Sequence, residues 1–485
     1  MARIRLAFLS DAELGAIHDA SVQILRDTGV RVHHDEILAL LGQAGAKIDA
    51  TGKVARFDEQ LVMDAIELSQ KQYILYGRDP EQTARFGHGD FVLMSSPGQF
   101  AWIDGQTGLR RAATINDARD AIRLGDALPN IDIVGAMAQP ETVPETVRDV
   151  FLTGELVKHT AKPTRCWVRN GKTARYILDI YRTIAGGAQA LRDRPMVEAF
   201  LEPISPLQLP GDGLEVVREF AQAGQPVSIG PMAMASATAP ATLAAALAQE
   251  NAEILAGVVV TQILAPGSAI TYGGIPHIMD PRTSICSFGS PEQSVMAVAM
   301  VQMAKRYGFP VYINVGLTDA KVLDAQAGME KAGGMILGML AGADTFGHCG
   351  ICGTDHAGSL QWLYADNELA AYARRIARGL AVTEATLATD VVQAVGPGGN
   401  FLAEEHTVRH FREEMWLAGP AWTRQSWDEW DRSGRSSMAD RIDEQVAQTL
   451  SRHEPKPLTP ALAKEVDAIV DAARRELGGI EETEA

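Results

Sequence analysis

The sequence predicts an α/β fold, a (β/α)8 TIM barrel with a helical N-terminal cap and a C-terminal helical extension. Seven short apolar runs each precede a helical stretch, and successive runs begin roughly 30 to 40 residues apart, which is the size of a βα unit with its loops. The runs lack strict polar alternation, as expected of parallel strands that are covered on both faces. Repeated βα units in this number favour a closed barrel over an open doubly wound sheet.

The N-terminal cap is predicted to span residues 1–115. The tetrapeptide Ser10-Asp11-Ala12-Glu13 is a helix-start signature, because a Ser and a Glu three residues apart can cap the first turn. Further elements follow in order: helices at Asp35–Leu41 and Asp58–Ser69, strands at Phe91–Ser96 and Phe100–Asp104, and a turn at Gly105–Gly108. The cap is therefore expected to contain helices and a hairpin.

The barrel is predicted to span residues 116–400. Its strands are expected at Ile131–Met137, Thr164–Val168, Val197–Leu201, Val227–Gly230, Ala269–Tyr272, Val311–Val315 and Ala343–Gly347. The eighth strand has no comparable run, and either Leu380–Val382 or the N-terminal region could supply it. Residues 401–485 are charged and rich in Trp, and they are predicted to form a helical extension packed on the barrel, with a last helix at Pro460–Leu477.

Composition excludes several classes of protein. The 485 residues include 44 basic and 61 acidic side chains, a formal net charge of −17, so no nucleic-acid partner is expected, since such a partner needs a basic face. Four cysteines are too few for a disulfide scaffold and favour a reducing, cytoplasmic compartment. Pro and Gly interrupt the two long uncharged stretches, Ala223–Gln249 and Ile254–Met279, so no membrane association is expected. A homo-oligomer is compatible with a barrel of this size.

Candidate site residues follow from the position of active sites in such barrels, at the carboxyl ends of the strands. This position selects Glu202, Ser205, Met232, Met234, Tyr272, Gly273, Gly274, His277, Asn314, Thr318, Asp319, Lys321, His348, Cys349 and Cys352. Glu202 follows two apolar residues and precedes Pro203, so it is either a pocket carboxylate or a carboxylate that orders a loop. Asp319 and Lys321 could share one site or form a surface ion pair. The sequence contains no G-x-S-x-G, Walker or G-x-G-x-x-G motif, which argues against a nucleophile elbow and against nucleotide chemistry.

A metal site is a further possibility in the segment from His348 to His356. Cys349, Cys352 and His356 have a spacing that is compatible with tetrahedral zinc, and His348 could compete as a ligand. The alternative is a pair of small buried thiols in a Gly-rich loop.

Four segments resemble a known family. They are Ser205–Leu207 with Gly224–Pro226, Thr238–Ala244 with Gln249 and Asn251–Gly257, Gly316–Lys321 with Asp324–Gly328, and Val395–Leu402 with Glu405–Thr407 and Arg409–Glu414. On these segments the chain resembles the trimethylamine methyltransferase family, in its branch without pyrrolysine. The archaeal members carry pyrrolysine near the segment that matches Asp324–Glu330, where this sequence has ordinary residues. The resemblance therefore points to quaternary amines such as glycine betaine as the methyl donor.

The resemblance implies a (β/α)8 enzyme that moves a methyl group from a quaternary or tertiary methylated amine to the Co(I) of a corrinoid, either on a cognate corrinoid protein or as free cobalamin. The catalytic candidates are then Glu202, Asp319, Lys321 and His348. The substrate-binding candidates are Trp102, Tyr272, His277, Arg282, Asn314 and Phe346, and the candidates that face the corrinoid are Gly273, Gly274 and Gly316. Two alternatives stay open: a zinc-dependent barrel hydrolase that uses Cys349, Cys352 and His356, and a non-catalytic protein that binds quaternary amines.

Overall fold

The N-terminal capping box forms as predicted in a computed structural model, which describes residues 6–105 and 107–478. The Ser10 hydroxyl accepts from the Glu13 N–H, and the Glu13 carboxylate accepts from the Ser10 N–H, which starts α1. The N-terminal elements are α1 (Asp11–Gln23), a π-helical turn (Ile24–Thr28), β1 (Val30–Val32), α2 (Asp35–Gln43), β2 (Lys47–Asp49), β3 (Val54–Arg56), α3 (Glu59–Leu68), β4 (Tyr73–Tyr76), β5 (Thr83–Phe86), β6 (Val92–Ser95), β7 (Ala101–Ile103) and β8 (Arg110–Ala112). The ends of the predicted cap and extension, residues 1–5 and 479–485, lie outside the described residues.

The middle of the chain alternates strands and helices. Its elements are α4 (Ile115–Ala127), β9 (Val134–Gly135), α5 (Glu145–His159), β10 (Thr164–Arg165), α6 (Gly171–Ala185), α7 (Ala188–Asp193), β11 (Ala199–Leu201), β12 (Gln208–Leu209), α8 (Gly211–Gln222), β13 (Val227–Ile229), β14 (Met234–Ala235), α9 (Leu243–Leu264), β15 (Ile270–Gly274), β16 (His277–Met279), β17 (Cys286–Ser287), α10 (Pro291–Tyr307), β18 (Val311–Ile313), α11 (Ala325–Ala341), β19 (Thr345–Cys349), β20 (Ile351–Cys352), β21 (Ala357–Gly358) and α12 (Leu360–Arg378). Each of the seven predicted runs overlaps a strand of this series, and β15 and β19 extend two residues beyond their runs.

A curled parallel sheet lies at the centre. Six strands pair in the order β11-β13-β15-β18-β19-β6, and a bridge between Met94 and Ile133 leads on to the parallel pair β9-β10. Within residues 6–105 and 107–478 no backbone pairing joins β10 to β11. An ion pair between Arg165 and Glu198 links the two strands instead.

The eighth strand comes from the N-terminal region. β6 pairs with β19, whereas Leu380–Val382 lies in an exposed connection without strand structure. The predicted boundary between residues 115 and 116 therefore separates β6 from the sheet to which it belongs. The predicted extent of the cap is corrected accordingly, because residues of the cap contribute β6 to the central sheet.

Helix α9 is apolar all round because it is a core helix. It is long and apolar enough to cross a membrane, but 83% of its most apolar window is buried inside the protein. It packs against α1, α3, α8 and α10. A helix of this composition is expected where every face meets another element.

The last part of the chain leaves α12 and later packs against it again. Its helices are α13 (Glu384–Leu387), α14 (Thr389–Val395), α15 (Glu405–Glu414), α16 (Trp427–Arg432), α17 (Met438–Arg452) and α18 (Pro460–Leu477). Arg375 of α12 donates hydrogen bonds to the carbonyls of Gly379 and Glu414, so the segment between them begins and ends at one point. Trp416 and Trp422 then pack on Tyr372, which fixes the returning chain to α12.

Candidate functional site

A small cavity opens at the carboxyl ends of the central strands. Its walls come from residues in or after seven strands and their loops: Pro97, Arg165, Cys166, Trp167, Phe200, Glu202, Met232, Ile275, Phe288, Asn314, His348 and Asp355. The cavity volume is about 80 Å³, several times the space of about 10–15 Å³ that one water needs. The sheet therefore brings side chains that are far apart in sequence to one place, at the end where barrel enzymes bind substrate.

Two carboxylates without a cationic partner of their own give the cavity its chemistry. Burial, with the nearby negative charge of Asp355, raises the pKa of Glu202 to about 7, although Arg165 acts in the opposite direction. Burial also raises the pKa of Asp355 to about 6, against a hydrogen bond of 2.6 Å from the Gln99 amide. Among the described residues, no hydrogen bond or ion pair involves the Glu202 carboxylate. A positive charge bound in the cavity would therefore favour the ionised form of both acids.

Arg165 forms the cationic side of the same cavity. Its guanidinium is buried, pairs with Glu198 and lies 4.8 Å from the ring centre of Phe200 and 5.4 Å from that of Tyr312. A guanidinium has five N–H donors, and the described hydrogen bonds use only Nη1. The remaining donors make Arg165 a candidate to bind an anionic group of a ligand.

Aromatic and amide groups complete the wall. Phe200 meets Tyr312 edge to face at 5.8 Å, and the Tyr312 hydroxyl donates to the Asn314 side chain at 3.4 Å. Phe288, from the loop after β15, packs against the ring of His277 at 5.0 Å. Aromatic faces are suited to a quaternary ammonium, which they attract through their quadrupole.

The two predicted histidines are held neutral. Burial, followed by the charge of Arg165, lowers the pKa of His348 to about 3, and burial lowers the pKa of His277 to about 4. Both ring nitrogens of His277 and Nδ1 of His348 are buried without a hydrogen-bond partner among the described residues. His348 lines the cavity with its Nδ1 3.9 Å from Asp355 Oδ1, so it is placed to accept or donate a hydrogen bond rather than to carry charge.

Asp319 joins three loops beside the cavity. Its carboxylate accepts from the Ser287 hydroxyl at 2.5 Å, from the Phe288 N–H at 2.9 Å and from the Thr354 hydroxyl at 2.7 Å. These contacts fix the residue that precedes Asp355 and the residue that packs on His277. Asp319 therefore orders the cavity walls and does not line the cavity.

Buried acids in α9 anchor other loops. Glu250 accepts from the N–H groups of Ala233 and Ile275, each at 2.9 Å. Glu253 accepts from the Ser205 hydroxyl at 2.6 Å and the Leu207 N–H at 2.8 Å. One core helix thus positions the loops after β11, β13 and β15.

A buried ion pair supports the loops after β18 and β19. Lys331 donates to Asp366 at 3.0 Å and to the Gly316 carbonyl at 3.1 Å, and Asp366 accepts from the Gly350 N–H at 2.7 Å. Removal of either charge would leave the other buried and unpaired, which is strongly destabilising.

The structure brings some of the predicted site residues together and places others elsewhere. Glu202, Asn314 and His348 line the cavity. Tyr272 lies outside it, since its hydroxyl donates to Asn251 of α9 at 2.8 Å, and Phe346 packs on Phe91 on the outer side of the sheet.

The remaining predicted residues lie near the cavity or beyond it. Lys321 is exposed, and its amine donates to the Asp319 carbonyl. Trp102 is buried in β7 beside Gly358, and Arg282 is an exposed residue of the loop between β16 and β17. None of these three lines the cavity.

The three glycines that were predicted to face a corrinoid lie where neighbouring atoms of the protein leave little room for a side chain. A Cβ on Gly273 would lie 2.4 Å from the Ile229 carbonyl oxygen, one on Gly274 would lie 2.8 Å from Met300, and one on Gly316 would lie 3.1 Å from Met335. Close packing within the protein thus accounts for all three, and their approach to a corrinoid stays a prediction.

The described residues give no support to the candidate zinc site. Cys349 and Cys352 are buried, whereas His356 is exposed, and residues 6–105 and 107–478 contain no group of three His, Cys, Asp or Glu placed to hold a metal ion. Burial raises the pKa of the Cys349 thiol strongly and that of Cys352 to about 11. The alternative of small buried thiols is the one that the structure supports.

Sequence reasoning missed Arg165, Asp355, Gln99 and Phe200. Arg165 carried a usable signal, because it is a charged residue within the apolar run Thr164–Val168. Asp355 carried none, since it lies six residues past the end of β19 in a loop with several left-handed residues.

Comparisons with known proteins show which family the chain resembles. The family model "Trimethylamine methyltransferase (MTTB)" matches residues 2–478. The chain is 30% identical to a trimethylamine methyltransferase of Desulfitobacterium hafniense over 473 residues, 98% of this chain and 95% of the relative. It is 28% identical to a glycine betaine methyltransferase of Desulfitobacterium hafniense over 473 residues, 97% of this chain and 98% of the relative.

A comparison of structures found the monomethylamine methyltransferase of Methanosarcina barkeri, at 13% identity and a TM-score of 0.49, covering 98% of this chain and 96% of that one. The family model and the 30% identical relative extend over nearly the whole sequence. The chain therefore belongs to the trimethylamine methyltransferase family.

Proposed function

We propose that this protein removes a methyl group from a quaternary, betaine-like amine bound in the cavity and transfers it to the cobalt of a corrinoid. The observation that carries the proposal is the pair of carboxylates Glu202 and Asp355, which face a cavity with aromatic walls and have no cation of their own. The family supplies the reaction class. A glycine betaine methyltransferase is among its relatives.

A fixed positive charge is the ligand that this cavity complements best. The ammonium would stabilise the ionised form of each acid, and the faces of Phe200 and Phe288 would contact its methyl groups. A quaternary nitrogen has no lone pair, so acid catalysis cannot improve it as a leaving group. The protein instead has to hold the methyl carbon in line with the incoming nucleophile and keep water out.

Arg165 favours a donor that also carries a carboxylate. It lies in the same cavity as the acids, so a zwitterion could place its ammonium near Glu202 and Asp355 and its carboxylate near the guanidinium. The earlier candidates for the carboxylate partner, His277, Arg282 and Lys321, do not line the cavity. Asn314 remains a candidate to donate a further hydrogen bond.

The proposed methyl transfer balances in atoms and electrons. The C–N bond breaks with its electron pair on nitrogen, so a tertiary amine leaves uncharged, and a reduced corrinoid supplies the electron pair for the new bond to carbon. Neutral His348 adds no competing positive charge to the cavity. The corrinoid is the acceptor substrate, carried by a partner protein or free in solution.

We also infer that the central sheet closes into a full (β/α)8 barrel, with the Arg165–Glu198 pair across the seam between β10 and β11. The four free cysteines support a reducing compartment such as the cytoplasm.

A methyl-transfer assay tests the proposed function. Purified protein is mixed with Co(I) cobalamin and with glycine betaine, trimethylamine or tetramethylammonium, and methylation of cobalamin is followed by absorbance. We expect glycine betaine to react faster than tetramethylammonium, which has no carboxylate. A protein that binds betaine but methylates no corrinoid would support the alternative of a non-catalytic binding protein.

Substitution of Glu202 tests the assignment of the cation site. Glu202→Gln keeps the shape of the side chain but removes its charge, so we expect glycine betaine to bind about 10- to 100-fold more weakly, since two unit charges about 4 Å apart attract by about 1 kcal/mol in water and about 4 kcal/mol near a protein surface. Calorimetry measures the affinity. Glu67→Gln, at an exposed position of α3, is the matched control. Equal affinity of Glu202→Gln and the parent protein would remove Glu202 from the site.

A further inference from the structure

The segment 380–415, here called the distal arm, is almost entirely exposed. Its helices α13, α14 and α15 contribute no buried residue, and in the whole segment only Ala388 is buried. Short helices are marginal in water, and in proteins they gain most of their stability from packing an apolar face. The distal arm therefore lacks, within one chain, the packing that would hold its helices.

The exposed side chains of the distal arm are largely apolar. Those exposed by more than a third are Leu380, Val382, Leu387, Val392, Phe401, Leu402, Val408, Phe411 and Met415. Monomeric soluble proteins seldom expose so many large apolar side chains in one contiguous segment, and such patches mark contact surfaces.

The root of the distal arm lies at the end of β6 opposite the cavity. α12 begins after the loop that carries Asp355 and ends at Arg378, where Arg374 donates to the Phe91 carbonyl just before β6 begins. The cavity lies beyond the other end of β6, at Pro97. A partner on the distal arm therefore leaves the cavity open, and a corrinoid that reacts in the cavity has to approach from the other side.

A groove adjoins the root of the distal arm. It is lined by Thr83, Ala84, Arg85, Gly89, Asp90, Phe91, Val92, Asp132, Arg374, Ala377, Arg378, Gly379 and Leu380. Its charged side chains are three arginines and two aspartates, and Nε of Arg374 is buried there without a hydrogen-bond partner among the described residues. The distal arm has six acidic and two basic side chains, so its charge and its apolar surface complement this groove.

The available area fits a dimer. Full burial of one Leu, Val, Phe or Met side chain covers about 60–120 Å², so nine of them, on average about two-thirds exposed, offer about 350–700 Å² per chain. Two chains together reach the roughly 1,000 Å² that a specific interface needs. A groove beside the root of the arm also permits a reciprocal exchange, in which each arm binds the other chain about a two-fold axis.

We propose that the distal arm of each chain binds in the groove of a second copy, which makes the enzyme a two-fold dimer with its cavities open at the far ends. This inference does not depend on the proposed substrate. It accounts for three helices that contribute no buried residue within their own chain. It also accounts for a groove in which Nε of Arg374 has no hydrogen-bond partner among the described residues, while Nη2 donates to Phe91 and Asp132.

Sedimentation velocity over a range of micromolar concentrations tests the proposal. We expect the full chain to sediment as two chains of 52.1 kDa. The double variant Leu402→Glu with Val408→Glu, at two of the most exposed arm positions, should weaken dimerisation about 100-fold or more, since charges would enter an apolar contact. Arg85→Glu, in the groove, should weaken it as well. Leu68→Glu, which changes an exposed Leu of α3, should behave as the parent protein.

Two results would overturn the proposal. One is a parent chain that is monomeric throughout, and the other is a dimer that the arm variant leaves unchanged. Hydrogen exchange provides a readout without substitutions, because amides of α13–α15 should become protected as the protein concentration rises. Protection of the arm only when a corrinoid protein is added would assign the surface to that partner and contradict the dimer.

Discussion

The proposed function of Glu202 and Asp355 depends on the burial of their carboxyl groups and not on their spacing in the sequence. They are 153 positions apart in the chain, yet both line one cavity, and each has a pKa above its usual value because burial penalises the charged form. A methylated ammonium would supply the missing charge. The same desolvation that destabilises the empty site thus becomes part of the affinity for a cation.

Proton release on binding is the expected consequence at the residue scale. Glu202 and Asp355 have pKa values of about 7 and 6 in the empty cavity, and a bound cation stabilises their ionised forms. Affinity for glycine betaine should therefore rise as the pH increases from 5 to 8, and protons should leave on binding near pH 6. Calorimetry in buffers of different ionisation enthalpy counts these protons. Proton uptake, or affinity independent of pH, would contradict the assignment.

The residue scale also shows what the sequence could not reveal. Tyr272 and Phe346 were predicted to contact substrate as aromatic residues of a cation cage, but Tyr272 contacts α9 and Phe346 lies beside α11. Successive residues of a strand face opposite sides, and in a sheet covered on both faces each side is apolar. Nothing in such a run therefore indicates which aromatic residue points inward, as Phe200 does.

At the scale of elements, the positions of the strands could be predicted from the sequence, but the pairing that completes the sheet could not. Each of the seven apolar runs overlaps a strand, because a buried parallel strand needs an apolar segment of that length. The eighth strand, β6, lies ahead of the regular βα series, so its place in the sheet depends on pairing with β19. Pairing over some 250 residues leaves no local mark in a sequence. The helices were easier to predict where caps define them, as Ser10 does for α1.

The loops after β15, β18 and β19 are expected to act as a unit through Asp319. Asp319→Ala removes three hydrogen bonds to Ser287, Phe288 and Thr354, which should misplace Asp355 and lower kcat/KM about 10- to 1,000-fold, at about 0.5–1.5 kcal/mol for each bond. Steady-state kinetics with glycine betaine measures this change.

Lys321→Met is the matched control for that experiment. Lys321 was a catalytic candidate, but its side chain is exposed and contacts only the Asp319 carbonyl among the described hydrogen bonds. Its kcat/KM should stay within about 3-fold of the parent value, as for most surface substitutions. A large loss in Lys321→Met together with none in Asp319→Ala would reverse the two assignments.

At the scale of the whole molecule, the cavity and the proposed dimer contact of the distal arm lie in different regions of the chain. α12 links them: Asp366 near its start holds the loop at Gly350, and Arg375 near its end holds both ends of the distal arm. A helix of 19 residues spans about 28 Å, which places the two regions on opposite sides of the molecule.

Removal of the distal arm is expected to leave the barrel folded. Because Gly379 and Glu414 both bind Arg375, a short Gly-Ser linker can replace residues 382–412 without strain. The shortened chain should melt within a few degrees of the parent monomer and should still methylate free cobalamin, since the cavity takes no residue from the arm. Thermal unfolding and the methyl-transfer assay measure both properties. An insoluble or inactive product would show that the arm supports the barrel.

The unpaired acids of the cavity also bear on inhibition. An analogue of the betaine in which a carbon atom replaces the ammonium nitrogen has the same shape and keeps the carboxylate but has no positive charge, so it would bind the protonated cavity. Acidic solution should then favour this analogue and alkaline solution the natural donor. In a competition experiment, the ligand that binds more tightly would change within a narrow pH range around neutrality. The pH at which the two affinities are equal would report the protonation state of Glu202 and Asp355.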